Sequence, residues 1–394
     1  MDSLALAPLL ADLLPPRGLS GDPARALEIL RHVAFFLFGA CIGSFLNVVI
    51  YRLPLPGMSV SQPKRSFCPT CKHDIRVHEN IPILSWIFLR GKCAGCKGKI
   101  SIRYPFVELL TALLFLAASF HWASLGVAIV FAILFTLLIS ATFIDIDHYI
   151  IPHTINIIGA VLGLGASIAF PVIHLMETRG ASALQSILGC VTGMGILWLV
   201  VEAGKLAFGK KKINLEKPTP WTISQKDEES PILFQLGEDE PLDWWEDLFG
   251  RASDRLILEC ESCVLDGKTH RDVVAEFSGD SVRVVDTDVV IPLEKLDHAK
   301  GVATRVTIPR EAMGLGDVWF LGMMGTLLGW KGVLFTVAAS SMIGSLIPTT
   351  ARLFGFGEWG KKIPFGPYLA AGALLWFFFG HPILEWYFGL FLRR

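Results

Sequence analysis

The chain has no excess of charge of either sign: 35 Lys and Arg stand against 36 Asp and Glu, a net −1 at pH 7. That balance excludes a uniformly basic nucleic-acid-binding protein. Charge is also scarce, at 18% of residues, and nearly all of it lies in two polar blocks at about 52–105 and 209–311. No convincing internal repeat is present, which weighs against a transporter built from duplicated halves. About thirty residues precede the first apolar run and no small-residue cleavage site follows it, so a removable signal peptide is not expected. The basic block contains no Gly-rich cofactor fingerprint.

What the chain does have is apolar length. Of its 394 residues 52% are apolar, and the mean hydropathy is +0.53. A water-soluble chain of this length would form two or three domains, whereas this composition indicates a membrane protein. A bilayer core of about 30 Å needs roughly 20 apolar residues per helix. Eight stretches qualify, at about 33–51, 106–122, 125–144, 155–176, 184–207, 314–330, 332–353 and 365–390. Ten Lys and Arg between Arg52 and Arg103, against Asp74 and Glu79 alone, place that loop in the cytoplasm by the positive-inside rule. Alternation then puts 145–154, 208–313 and 354–364 on the same side. Lys205 and Lys210 to Lys212 agree, as do Arg352, Lys361 and Lys362, while Arg393 and Arg394 at the outward-facing end do not.

The expected fold is therefore an all-α polytopic membrane protein of about eight helices with two cytoplasmic elaborations. An extracytoplasmic segment covers 1–32, the first span 33–51, a cytoplasmic loop 52–105, spans two to five 106–207, an insert 208–313, and spans six to eight 314–394. The pairs Gly159 and Gly163, Gly189 and Gly193, and Gly325 and Gly329 supply small residues at a spacing of four, which suits close helix packing in lipid. The first half of the insert is acidic and irregular, with runs at 227–229 and 238–240 beside Trp244 and Trp245. Its second half has β-branched runs at 255–260, 272–277, 281–285, 288–291 and 302–308, broken by turn pairs such as Asp266-Gly267 and Gly279-Asp280, and reads as a small β-rich module.

Three constellations carry chemistry. Cys68-x-x-Cys71 and Cys93-x-x-Cys96 can set four thiolates around Zn²⁺. Four sulfurs close the coordination shell, so the ion would hold structure and not activate water. A dithiol redox pair or an empty motif are the alternatives, and six of the eight cysteines fall in loops assigned to the reducing cytoplasm, where disulfides are not expected. Cys260-x-x-Cys263 has no second pair nearby; it is half of an intermolecular site or a strand pair without function. The second constellation is Asp145, Asp147 and His148 ahead of Pro152, where the third span meets the cytoplasm. Carboxylates at a membrane boundary face a wet cavity or a partner, or these two merely finish a helix in polar residues. The third is Gly314-Leu-Gly316-Asp317, whose glycines let the backbone turn tightly beside a carboxylate. Charge bias puts Asp145 and Asp317 at the same face. Two carboxylates brought together there share one proton, so that one takes a proton from water while the other donates to a scissile carbonyl.

Gly43 to Pro54, the paired Cys knuckles, Asn80 to Trp86, Ile100 to Pro105 with Glu108, Asp145 to Pro152, Gly314 to Asp317, and Pro364-Phe-Gly-Pro367 together resemble the ordered motifs of the type IV prepilin peptidases, membrane aspartic proteases of the bacterial inner membrane. The likeness spans the chain apart from about the first thirty residues and the insert. It implies that Asp145, seven residues before Pro152, and Asp317 are catalytic. It further implies that the substrates are prepilins or type II secretion pseudopilins, cut after a Gly at the cytoplasmic face, and that the new N-terminus is methylated from S-adenosylmethionine, with loop 52–105 belonging to the methyltransferase half. No methyl-donor ligand can be named from the sequence. Asp147 either tunes Asp145 or is itself catalytic, and His148 is expected as an interface residue more than a base. The chain departs from the family pattern at Trp319, where Lys is common, and at His153, where Asp or Asn often follows the Pro; the insert also stretches the separation of the two aspartates to 172 positions. Two other classes remain: a transporter with boundary carboxylates and a regulatory zinc loop, and a catalytically dead scaffold, which would tolerate loss of the aspartates that are present here.

Overall fold

The computed structural model describes residues 23–55, 59–62, 67–68, 70–208, 210–225, 231–239, 241–244, 248–249, 255–265, 267–285, 289–292, 299–309, 313–355 and 363–392. Most of the segment 1–32, together with Lys64, Arg65, the acidic run 227–229, Glu240, Trp245, Asp266, Lys361, Lys362, Arg393 and Arg394, lies outside the described residues. The chain divides into two compact units, 1–194 with 319–394, and 195–318.

The first unit is helical. Its elements are α1 (Pro23–Arg52), the short α2 (Leu84–Phe88), α3 (Arg103–His121), α4 (Leu125–His148), α5 (His153–Ala169), most of α6 (Arg179–Phe208) and α7 (Leu315–Leu353), and α8 (Gly366–Leu392). Five helices among the described residues are long and apolar enough to cross a membrane: α1, α3, α4, α6 and α7. Helix α5 and the Gly366–Gly380 part of α8 are shorter apolar helices. Three of the expected spans differ in detail. The stretch 155–176 stops as an α-helix at Ala169, because Phe170 leaves helical geometry and Pro171 starts a separate 3-10 turn. The stretches 314–330 and 332–353 run together as α7, whose 39 residues would reach about 58 Å if straight. Gly329, at φ 67 and ψ 173, breaks it into two helices, a backbone state open to glycine.

The glycine pairs read from the sequence lie where helices touch. A Cβ on Gly189 would collide with the carbonyl of Gly325, and one on Gly193 would stand 2.7 Å from the carbonyl of Leu321. Cβ atoms on Gly159 and Gly163 would run into Met323 and Thr326. Small residues let backbones approach where lipid supplies no hydrophobic drive between helices.

The second unit is an eight-stranded antiparallel sheet in the order β3-β2-β1-β8-β4-β5-β6-β7. Its strands are β1 (Lys210–Ser224), β2 (Leu233–Leu236), β3 (Leu242–Asp243), β4 (Leu256–Leu265), β5 (Lys268–Phe277), β6 (Ser281–Val284), β7 (Val289–Pro292) and β8 (Ala299–Pro309). The later five match the β-branched runs. The irregular first half does not hold: it supplies β1 to β3. Lys-rich β1 has weak strand propensity of its own and is made a strand by pairing along β8 from Lys210↔Pro309 to Ile223↔Ala299, with a bulge between Asn214 and Thr219 that takes up Pro218. The core is aromatic and aliphatic, centred on Trp221, Phe234, Trp244 and Phe277. Bulges in β4 around Cys260 change the alternation, so that Leu256, Leu258 and Cys260 point inward before them and Cys263 and Leu265 after. This is why two cysteines three apart are both buried. They belong to the sheet core.

Candidate active site

Asp145 sits in the last turn of α4 and is 5% exposed. The helix ends three residues later, where Tyr149 takes a left-handed conformation (φ 57) and returns its N–H to the Asp145 carbonyl at 2.9 Å. The termination therefore precedes Pro152, which caps α5 instead. The Asp145 carboxylate is held by a distant part of the chain: the Gly366 N–H donates to Oδ2 at 2.9 Å.

Asp147, two residues further along the same helix and turned away from the buried side, has a different environment. Its carboxylate pairs with Arg103 at 2.7 Å, both side chains being about a third exposed. The same guanidinium donates to the Phe143 carbonyl at 3.2 Å and lies over the Phe143 ring. His148 is exposed. Arg103 thus ties the start of α3 to the end of α4.

Asp317 lies in the first turn of α7 and is 8% exposed. Its N–H donates to the Gly314 carbonyl at 3.3 Å, closing the turn that carries the two glycines, and a Cβ on Gly314 would come within 3.7 Å of Oδ2. Among the described residues, the buried carboxylates are Asp145, Asp317 and Glu108. Glu108, on α3, accepts the Ile83 N–H at 2.6 Å. Ile83 stands at φ 64 and ψ −52, where a β-branched residue is rarely found, and Leu84 bonds back to the Pro82 carbonyl. The two positions that break the expected pattern meet each other: the rings of His153 and Trp319 pack edge to face, 6.2 Å between centroids.

Both Cys-x-x-Cys knuckles are built alike. Cys68 donates its N–H to the His73 carbonyl and accepts from Lys72; Cys93 donates to Gly98 and accepts from Lys97. Lys72 and Lys97 both turn through positive φ, at 58 and 60. Each knuckle is closed by an isolated bridge, Phe67↔Asp74 and Lys92↔Lys99. The four sulfurs lie within 4.8 Å of one another, with Cys68 to Cys96 at 4.0 Å and Cys71 to Cys93 at 3.9 Å. A tetrahedron with Zn–S bonds of about 2.3 Å has edges of about 3.8 Å, so the cluster fits the ion. The Cys71 N–H, directed at the Cys68 sulfur, pulls that thiol down to about 6, while burial and the neighbouring thiols push Cys71 up to about 11. Beside the cluster, His73 bonds Glu79 at 3.1 Å. The Arg76 N–H, and His73 after it, keep the Glu79 carboxyl below its ordinary value.

Gly366, Arg103 and Ile83 were not singled out as site residues from the sequence. Their motifs were visible, Gly366 as a glycine followed by Pro at a helix start, but each partner is far away in the chain.

Two family models match. Residues 37–122 match the bacterial peptidase A24 N-terminal domain, and residues 132–213 and 299–349 match the type IV leader peptidase family. A prepilin leader peptidase/N-methyltransferase of Aeromonas hydrophila is 28% identical over 94% of this chain and 98% of its own. One of Myxococcus xanthus is 46% identical over 140 residues, 36% of this chain and 41% of its own. One of Dichelobacter nodosus is 37% identical over 203 residues, 44% of this chain and 67% of its own. No solved structure matches. The segments that carry Asp145 and the Cys knuckles lie within these matches, and so does Asp317, and the chain belongs to the type IV leader peptidase family.

Proposed function

We propose that the chain is a bifunctional prepilin peptidase. It removes the leader from type IV prepilins or type II secretion pseudopilins at the cytoplasmic face of the bacterial inner membrane, and it methylates the new N-terminus from S-adenosylmethionine. The observation that carries the peptidase reading is burial. Of the three buried carboxylates among the described residues, two stand in the family-matched Asp motifs, and the third, Glu108, is engaged by the Ile83 turn.

In this reading Asp145 and Asp317 are the catalytic pair. One, ionised, draws a proton from a water that attacks the scissile carbonyl; the other, protonated, donates to the carbonyl oxygen and then to the departing amine. No covalent intermediate forms. Asp147 is held by Arg103 and serves the end of α4 without taking part in proton transfer. Gly314 and Gly316 shape the turn that presents Asp317.

Eight membrane passes, with α7 crossing twice about Gly329 and α5 and α8 each crossing once, agree with the charge bias that puts loop 52–105, the sheet insert 208–313 and both aspartates on the cytoplasmic side. The proposed division keeps 1–32, 33–51, 106–207 and 314–394 as its outer segments, with the first helix reaching back to Pro23. Cys68, Cys71, Cys93 and Cys96 would hold a structural Zn²⁺ that folds a loop poor in apolar side chains. S-adenosylmethionine would supply the electrophilic methyl group for the new amine. Its ligands are unassigned, and loop 52–105 is the region proposed for that half of the activity. Purified protein incubated with a prepilin, with and without S-adenosylmethionine, tests the function by product mass. Loss of the leader in both, and a methyl gained only with the donor, is the expected result; an unchanged prepilin contradicts it.

A further inference from the structure

The Pro364-Phe-Gly-Pro367 motif has no role in the chemistry above, yet it touches the site. Helix α8 starts at Gly366. The first N–H groups of any helix lack intrahelical partners. Here the Phe365 carbonyl takes the N–H groups of Tyr368 and Leu369, and Pro367 has none to offer. The Gly366 N–H is left pointing out of the helix end, and it is given to Asp145 across 221 positions of sequence.

The glycine is required for that contact. A Cβ at 366 would lie 2.7 Å from Asp145 Oδ2 and 3.0 Å from Ile151 Cδ1. Both obstacles are ends of side chains, so the added methyl can be accommodated by pushing the carboxylate aside, with the backbone unmoved. Gly372, two turns further along α8, is the contrasting case: a Cβ there meets the Thr336 carbonyl at 2.7 Å and its Cα at 3.3 Å, which are backbone and cannot yield.

We infer that Gly366 is a positioning residue for peptide hydrolysis: its N–H fixes the Asp145 carboxylate, and its missing side chain leaves that carboxylate the room to be fixed. This rests on the reading of Asp145 as a catalytic residue. Misplacing a reacting group by about 1 Å can cost on the order of 100-fold in rate.

The test compares Gly366→Ala with Gly372→Ala in the full-length protein, reading kcat and KM for leader removal together with the melting temperature. Gly366→Ala is expected to lose about 10- to 100-fold in kcat, with KM and melting temperature close to wild type. Gly372→Ala is expected to melt earlier and to keep its kcat below that melting point. The inference is overturned by a Gly366→Ala variant with wild-type kcat, by one that fails to fold, or by one whose loss of activity parallels its loss of stability as in Gly372→Ala. Asp145→Asn serves as the reference: if it cleaves normally the peptidase reading itself is wrong, whereas an inactive Asp145→Asn beside a fully active Gly366→Ala removes only the role of Gly366.

Discussion

In the helical unit close backbone approaches are made by residues with almost no side chain: a Cβ on Gly189 would collide with the Gly325 carbonyl, and one on Gly43 would lie 2.6 Å from the Glu108 Cα. In the sheet unit the interior is filled instead by Trp221, Trp244, Phe234 and Phe277. The difference reflects two solvents. Lipid tails are as apolar as leucine, so helices gain by close backbone approach, whereas water drives large apolar groups together. The leader peptidase match runs to 213 and resumes at 299, so that it takes in β8 and the first residues of β1 and leaves out β2 to β7. Because β1 and β8 pair through Lys210↔Pro309, the sheet starts and finishes on neighbouring strands. An insertion with adjoining ends can be added to a loop at small cost. The comparison teaches that the sheet carries its own core.

The largest effect is expected in a third kind of region, the Cys loop, where four clustered thiols could be held by one ion. Structural zinc contributes on the order of 10 kcal/mol or more to small folds of this type. Cys93→Ser should therefore abolish bound zinc by elemental analysis and methyl transfer with it, while leader removal survives; wild-type protein purified without chelators that contains no zinc would contradict the metal site. Next, Trp244→Ala should destabilise the sheet unit by about 3–5 kcal/mol, seen in thermal unfolding, with the initial rate of leader removal unchanged. A rate that falls in step with sheet unfolding would show that cleavage needs the folded sheet. Gly189→Ala should cost about 1–3 kcal/mol in the helical unit, because the obstacle is a backbone carbonyl; a variant as stable as wild type would show that the helices can part. The smallest effect belongs to Arg103→Ala. Its pair with Asp147 is about a third exposed, so about 0.2–1 kcal/mol is expected, with cleavage largely kept. A collapse of cleavage in Asp147→Asn would instead make Asp147 a member of the catalytic pair.

Much of this molecule was legible because its signals are local. Apolar runs of about twenty residues mark helices by composition alone, and Cys-x-x-Cys spacing marks a metal knuckle within four residues. The later strands of the sheet were readable from their β-branched runs. Strand β1 was not, since Lys210 to Lys217 is polar and becomes a strand by pairing with β8. The bulges that turn Cys260 and Cys263 to one side are likewise a property of the paired strands. The apolar run ends at about 144, whereas the helix continues to His148 and is ended by Tyr149. The contacts that define the surroundings of Asp145 were hidden for a different reason: Gly366 and Arg103 are neighbours of the α4 end only after folding, and a single sequence carries no measure of that distance.

The most direct test replaces each proposed catalytic aspartate by its neutral isostere. Asp145→Asn and Asp317→Asn should each lower the rate of leader removal by about 10³-fold or more, and the double variant should be no worse than either single one, since a pair that shares one proton fails as a unit. Either single variant cleaving prepilin at the wild-type rate would contradict the account.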